Sequence, residues 1–486
     1  MTDNTTIIAA TMILYMGVCL GLGLMAWHQT RNLSDFILGG RSLSSWVTAL
    51  SAQATDMSGW LLMGLPGLAY VSGFDGIWLL FGLAVGTWLN WRWIAAPLRE
   101  ATERLGNSLT IPDYLERRFQ DERRALRSLS ALFILVFFVF YTSSGFVAAG
   151  RLFESLFGLP YVEAMFWGSI VMLTYTFLGG FLAVSWSDVL QGALMFVALV
   201  MVAVLGVALA GGFTATFERL ETLDAALLDP FVADGGQTLG VIGVLSLLGW
   251  GLGYAGQPHI LARFMAVKSV SHITVARRVA MSWVVIVMIT AVLVGLTGRL
   301  VLPEPLIGTD TEKVFIVMST TFLHPALAGL CLAGIMAAVM STASAQLLVA
   351  SSAFTQDFYR SIFRSGAGTK ELLWVARLSV LVIAALAFFI ALKPDSTVLN
   401  LVAWAWAGFG AAFGPVIILS LYDQRTTGNG ALAGILVGGL TVILWKQGVR
   451  LGSLFGLYEL VPGFVLSMIA IIIVSRFDRN TATIPA

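Results

Sequence analysis

The sequence predicts an all-α polytopic membrane protein of about thirteen transmembrane helices. Three observations carry that prediction. Of 486 residues, 58% are hydrophobic and only 11% charged, with mean hydropathy +0.87, whereas soluble domains run near a quarter charged. Apolar runs of about 20 residues, the length that crosses ~30 Å of hydrocarbon as helix, recur along the whole chain. Lys and Arg gather in connections that share one side when the runs alternate.

The runs fall at 7–27, 45–71, 75–97, 127–150, 160–179, 184–211, 239–258, 274–300, 314–353, 373–392, 397–421, 428–446 and 455–475. The ninth is too long for one crossing and is expected to continue as helix beyond the bilayer. With no basic leader or cleavage pattern before it, the first reads as a retained span. Arg99, Arg104, Arg117, Arg118, Arg123, Arg124 and Arg127 follow the third run. Arg263, Lys268, Arg277 and Arg278 follow the seventh, and Arg360, Arg364 and Lys370 the ninth. The connection 212–238 carries Glu218, Glu221, Asp224, Asp229 and Asp234 against Arg219, and reads as a solvated loop. The positive-inside rule then puts the N-terminus outside and the C-terminus, with Arg476 and Arg479, in the cytoplasm. "LTIPDYLERRF" predicts a short surface helix with Thr110 near its cap and Pro112 in its first turn.

Other function classes find little support. A net charge of +1 offers nothing to nucleic acid. Cys19 and Cys331 stand alone in apolar runs, without a disulfide or metal pattern. His28, His259, His272 and His324 lack ligand spacing and read as loop or helix-end residues. A membrane enzyme would need a clustered nucleophile and base or a metal motif, and a sensor a signalling domain. Neither is visible. A channel is separated from a transporter only by concentrative uptake.

Two spans differ from their Leu/Val/Ile/Ala neighbours. "LSAQATDMSGWLLMGLPG" (50–67) combines Gly59, Gly64, Pro66 and Gly67 with a carboxylate, Asp56. "GVIGVLSLLGWGLGYAGQPHI" (240–260) is rich in glycine and holds Pro258. Glycine and proline weaken a helix, and in a membrane the freed backbone groups need partners in protein, ions or substrate. Interrupted spans at matching places in two halves point to the binding site of an inverted-repeat transporter. Here they open two sets of five, 45–211 and 239–421, with one span before (7–27) and two after (428–475), in a single domain over 1–486. Gly251, Gly253 and Gly256 also fit GxGxxG, but no strand precedes them and a dinucleotide site is rejected. Close packing through Gly249 and Gly253 is the competing explanation.

A carboxylate at membrane depth is expensive and faces a partner or a water-filled cavity. Asp56 beside an unwound helix suits a hard cation, with a structural ion pair as the alternative. The ninth run, "AGIMAAVMSTASAQLLVASSAF", offers Ser341, Thr342 and Ser344 as further oxygens, although such hydroxyls often bond back to their own helix.

"DFILGGRSL", "TALSAQATDMSGWLLMGLPG", "FLAVSWSD", "GWGLGYAGQPHILARFMA", "AAVMSTASAQLLVASSA" and "WAWAGFGAAFGP" closely resemble blocks of the sodium/solute symporter family, in the same order, over residues 35–463. The resemblance implies a leucine-transporter-like fold with a five-plus-five inverted-repeat core, working by alternating access. It implies a sodium site from Ala54, Met57, Ala338, Ser341 and Thr342, with Asp56 needed for sodium coupling. It implies substrate contacts from Ser58, Gly59, Tyr141, Trp250, Tyr254 and Pro258. Asp188 matches an acid on the inward sodium path and Arg41 a functional arginine. Gln53, Thr55 and Ala345 depart from the residues expected there without removing a ligand. The implied activity is sodium-coupled amino-acid uptake in a bacterial inner membrane, with L-proline as substrate and Na⁺ as coupling ion. No cofactor and no obligatory protein partner are expected. Another solute (pantothenate, a sugar, another amino acid) and proton coupling are the alternatives within the fold.

Overall fold

The computed structural model describes residues 3–27, 33–233, 236–392, 397–445, 448 and 453–478. His28, Asp234 and Arg479 lie outside these residues. The described chain is almost wholly helical, with a two-residue antiparallel pairing of Val232–Ala233 and Gln237–Thr238. Among the described residues, ten helices are by themselves long and apolar enough to cross a bilayer. Of the other expected spans, the second and seventh are broken, and the fifth joins the sixth at a kink where Gly180 takes φ 66°.

The second span runs as Ser45–Asp56, starting where Ser44 caps the Val47 amide, and ends where Met57 leaves helical angles (φ −86°, ψ 66°). It restarts as a π turn, Trp60–Gly64, and continues as Leu65–Ser72. The seventh runs as Val241–Gly249, tightens to a 3₁₀ segment, Trp250–Gly256, extends at Gln257, and resumes as Pro258–Ala266. Proline in the first turn of that last piece loses nothing, because its missing N–H would have no partner there. Close packing through the seventh-span glycines is also present. A Cβ on Gly251 would meet Gly82 O at 2.2 Å, and one on Gly253 the Trp406 indole nitrogen at 2.0 Å. The first span, Asp3–Trp27, packs outside the fifth, sixth and ninth, and the last two, Gly428–Trp445 and Leu460–Phe477, pack together on the eleventh, Val398–Tyr422.

Several expectations need correction. The ninth span does not begin at 314. Val314–Phe322 is a separate short helix that ends at extended Leu323 (φ −96°, ψ 153°). Pro325 biases the residue before it away from helix, and the His324 ring caps the new start at Ala326 N. The span then runs Pro325–Ser352 and, as expected, continues as helix to Phe363. The acidic connection is not all loop, since Phe213–Leu223 is a helix with Leu220 buried. Arg99, Arg118, Arg127 and Arg263 are not loop charges. Each is buried, and Arg99 and Arg118 bond main-chain carbonyls. The "LTIPDYLERRF" helix forms as Ile111–Phe119, with Thr110 Oγ1 accepting from the Asp113 amide at 3.1 Å.

Candidate functional site at the break in the second span

Around the break the structure assembles two groups of polar atoms. The first joins the second and ninth spans. Ala54 O accepts from Ser341 Oγ at 2.7 Å and from Thr342 Oγ1 at 3.4 Å, and Ser341 Oγ also reaches Ala338 O at 3.1 Å. Two carbonyls and two hydroxyls from elements far apart in sequence thus meet, all buried. Every donor is a neutral hard oxygen, the set that suits a monovalent cation able to bind and leave. Among the described residues no cluster of three His, Cys, Asp or Glu side chains competes as a metal site.

The second group lies between the second, fourth and seventh spans. Tyr254 Oη donates to Asp56 Oδ2 at 2.9 Å, while Asp56 Oδ1 has no partner among the described residues. Asp56 and Met57 are fully buried. Tyr141 Oη makes no hydrogen bond of proper geometry, with Ser58 and Asp56 as the polar groups beside it. Ser58 folds on itself: its amide donates to Asp56 O, and its own oxygens accept from Trp60 N and Leu61 N. A Cβ on Gly59 would meet Ala148 Cβ at 2.9 Å, so that glycine lets the fourth span approach.

Four residues make contacts outside these two groups: Trp250 and Pro258, expected at the substrate, and Asp188 and Arg41, expected on the ion path. Trp250 stacks on Tyr458 at 5.2 Å and gives its carbonyl to the Trp406 indole. Pro258 lines a small apolar cavity with Ile134, Thr110 and Val349. Asp188 Oδ2 accepts from Ser51 Oγ at 2.6 Å and Arg263 Nη2 at 3.4 Å. Arg41 ties neighbouring segments together, donating to Asn107 Oδ1, Thr102 Oγ1, Met265 O and Ser108 O. Burial, and then the neighbouring Arg99 guanidinium, pull Arg41 down to about 10, still cationic at neutral pH.

Sequence reasoning placed Arg263 wrongly, and His259, at a helix end as expected, is buried where that reading foresaw no packing. Arg263 is fully buried, bonding Ser51 Oγ, Asp188 and His259 O and lying over the Phe181 ring. His259 is equally buried, edge-on to Phe138 and Tyr141, and neither ring nitrogen has a partner among the described residues. The available signal was the short apolar run restarted by Pro258, which continues the seventh span past both.

Fold and site define a membrane transporter whose two broken helices meet at a buried polar centre, on a leucine-transporter-like five-plus-five helix core. Residues 36–438 match the Sodium:solute symporter family, and the chain belongs to that family. It is a secondary transporter and not an enzyme. It is 47% identical to the sodium/proline symporter of Escherichia coli (strain K12), over 99% of this chain and 94% of that one. It is also 47% identical to the osmoregulated proline transporter of Bacillus subtilis (strain 168), over 96% of this chain and 94% of that one. A solved structure of a Na⁺-coupled sialic acid symporter, substrate-bound and outward-open, superposes with TM-score 0.82 at 21% identity, covering 98% of this chain and 99% of that chain.

Proposed function

We propose that this chain carries L-proline into the cell together with Na⁺, driven by the sodium electrochemical gradient. The observation that carries the reading is the meeting of Ala54 O with Ser341 and Thr342, two residues along the chain from the carboxylate of Asp56. Na⁺ is cargo here, held by the carbonyls of Ala54, Met57 and Ala338 and the hydroxyls of Ser341 and Thr342. Asp56 supplies the nearby countercharge. Proline sits beside it, among Ser58, Gly59, Tyr141 and Tyr254, whereas Trp250 and Pro258 act from their own packing sites. Its cationic secondary amine gains from the free Oδ1 of Asp56 and from aromatic faces, about 0.5–2 kcal/mol for the latter. Identity to proline transporters over nearly the whole length supports this choice of solute.

Alternating access moves the second-span and seventh-span breaks against the ninth. The two five-helix repeats are 45–211 and 239–421. Arg41, bonded to the ends of the third and seventh spans, and Asp188, bonded to Ser51 of the second and Arg263 of the seventh, act on the inward path, where these bonds must change. Moving one Na⁺ through ~100 mV gives roughly 2.3 kcal/mol. A tenfold gradient adds about 1.4 kcal/mol, so one-to-one coupling sustains a solute ratio on the order of 500-fold. The chain sits in a bacterial inner membrane with its N-terminus outside and C-terminus in the cytoplasm, consistent with the basic connections sharing one side.

The test is uptake of labelled proline into proteoliposomes with and without a sodium gradient. An excess of each common amino acid, a sugar or pantothenate is added as competitor at fixed sodium. Proline and its ring analogues compete and the others do not. Accumulation of another solute, with no proline uptake, would overturn the choice of substrate and leave the fold standing.

A further inference from the structure

Asn90 is a buried amide in an apolar wall. It opens the π turn of the third span, Asn90–Ile94, and is only 3% exposed. Neither its Oδ1 nor its Nδ2 has a partner among the described residues. A buried amide without a hydrogen bond is costly, and water is absent from hydrocarbon to relieve it.

The wall belongs to a groove of about 440 Å³, the size of sites that enclose one ligand-sized molecule. Gly86 and Leu89 of the third span, Leu252 and Ala255 of the seventh and Phe464 of the thirteenth line it beside Asn90. Its rim is open on the lipid-facing side: Trp93 is 52% exposed, Leu252 38% and Tyr422 57%. Trp93 and Tyr422 are joined by a bond from Tyr422 Oη to Trp93 O, and the exposed Arg92 acts on Tyr422. Aromatic residues with a cation at a helix end mark the level of lipid headgroups.

The geometry points to a site for one anionic phospholipid, with an acyl chain in the groove, a glycerol ester carbonyl accepting from Asn90 Nδ2 once that amide turns toward the groove, and the phosphodiester beside Arg92. The carbon lining suits the chain, the unpaired amide the ester, and Arg92, near the rim residue Tyr422, the headgroup. The site reaches the transport centre through one residue. Tyr254 forms part of the groove wall, and its hydroxyl donates to Asp56 Oδ2 at 2.9 Å. An occupied groove therefore braces the 3₁₀ segment that holds the carboxylate. Lipid binding does not depend on which solute is carried.

The experiment reconstitutes the full chain in phosphatidylcholine nanodiscs containing a small fraction of phosphatidylglycerol with a photoreactive diazirine in its acyl chain. After irradiation, labelled peptides are mapped by mass spectrometry. Peptides spanning 86–94 and 251–256 are labelled about tenfold above the exposed face of the tenth span, Thr369–Ala391, the ratio that 1.4 kcal/mol of preference gives. Asn90→Leu, of similar bulk, and Ala255→Trp, which fills the groove, both bring that labelling down to the reference level. Arg92→Gln removes the advantage over a diazirine phosphatidylcholine. Groove labelling equal to the reference surface, or unchanged in Asn90→Leu, overturns the site. Equal labelling by the two lipids in the unmutated chain overturns the anionic headgroup.

Discussion

The two broken spans resemble each other in sequence and differ in what their breaks do. At the second, the helix leaves its path at Met57, and the atoms released face polar groups of the fourth, seventh and ninth spans. At the seventh, the chain tightens into 3₁₀ geometry and closes on its neighbours backbone to backbone. A Cβ on Gly256 would meet Phe409 O at 2.3 Å, and one on Gly86 would meet Gly251 O at the same distance. One break presents oxygen and the other removes side-chain bulk. Glycine content alone does not separate these tasks, whereas a carboxylate within the break does.

The largest effect expected from that contrast is at Asp56. Its fully buried carboxylate has one oxygen bonded to Tyr254 and the other without a partner. Asp56→Asn keeps the shape and removes the countercharge, a loss of about 3 kcal/mol or more, over 100-fold in sodium-driven uptake. Asp56→Glu retains part of the activity. The amount of each variant in the membrane fraction is measured alongside uptake. Normal sodium-driven transport by Asp56→Asn would make the two breaks equivalent, each a packing device.

Next come the ninth-span hydroxyls. A hydrogen bond involving a charged group is worth about 1.5–3 kcal/mol, so loss of a cation ligand should raise the sodium concentration for half-maximal uptake about 10- to 100-fold. Ser341 lies 2.7 Å from Ala54 O and Thr342 3.4 Å, so Ser341→Ala should shift that concentration further than Thr342→Ala. Sodium dependence unchanged in both variants would detach the ion from this cluster.

The seventh break should respond through folding. Gly251→Ala drives a methyl into Gly82 O at 2.2 Å, while Gly64→Ala in the second span meets only side chains, Leu399 at 3.3 Å and Trp60 at 3.5 Å. Overpacking costs about 1–3 kcal/mol, so Gly251→Ala should lower the thermal stability of the purified chain clearly and Gly64→Ala little. Equal melting temperatures would show that the seventh break has slack its packing does not suggest.

Much of this centre is legible in the sequence because expense in a membrane is legible. Asp56 in an apolar run, the hydroxyls at 341 and 342, and the paired Gly/Pro interruptions each violate what a plain span requires. What escaped is a matter of geometry and of boundaries. Trp250 and Tyr254 are four apart and would share a face of an α-helix. The 3₁₀ segment has three residues per turn, which turns them about 120° apart, so one stacks on Tyr458 and the other reaches Asp56. Arg263 escaped because hydropathy ends the seventh span near Pro258, where the helix in fact restarts. A buried Arg paired with Asp188 then looks like a loop charge. The split of the ninth run at Pro325 was readable, but the apolar composition on both sides concealed it.

The smallest of these effects separates the two seventh-span aromatics. Tyr254→Phe keeps the ring, which packs edge-on to Trp406 at 4.9 Å, and removes only the donor to Asp56 Oδ2. A bond to a carboxylate sits at the strong end of hydrogen bonds, but the cavity must admit water at some stage of the cycle, and water restores part of what the hydroxyl gave. The expected change is therefore near the lower limit, about 1.4 kcal/mol, or tenfold in the half-saturating concentration of proline or sodium. Trp250→Phe, on the Tyr458 stack, leaves Asp56 untouched and should move the sodium value less. Both variants are compared at saturating proline, so that sodium dependence is read separately from substrate affinity. If Trp250→Phe shifts sodium dependence as far as Tyr254→Phe does, the seventh break acts on the ion through its overall packing, and the hydroxyl on Asp56 has no special part in it.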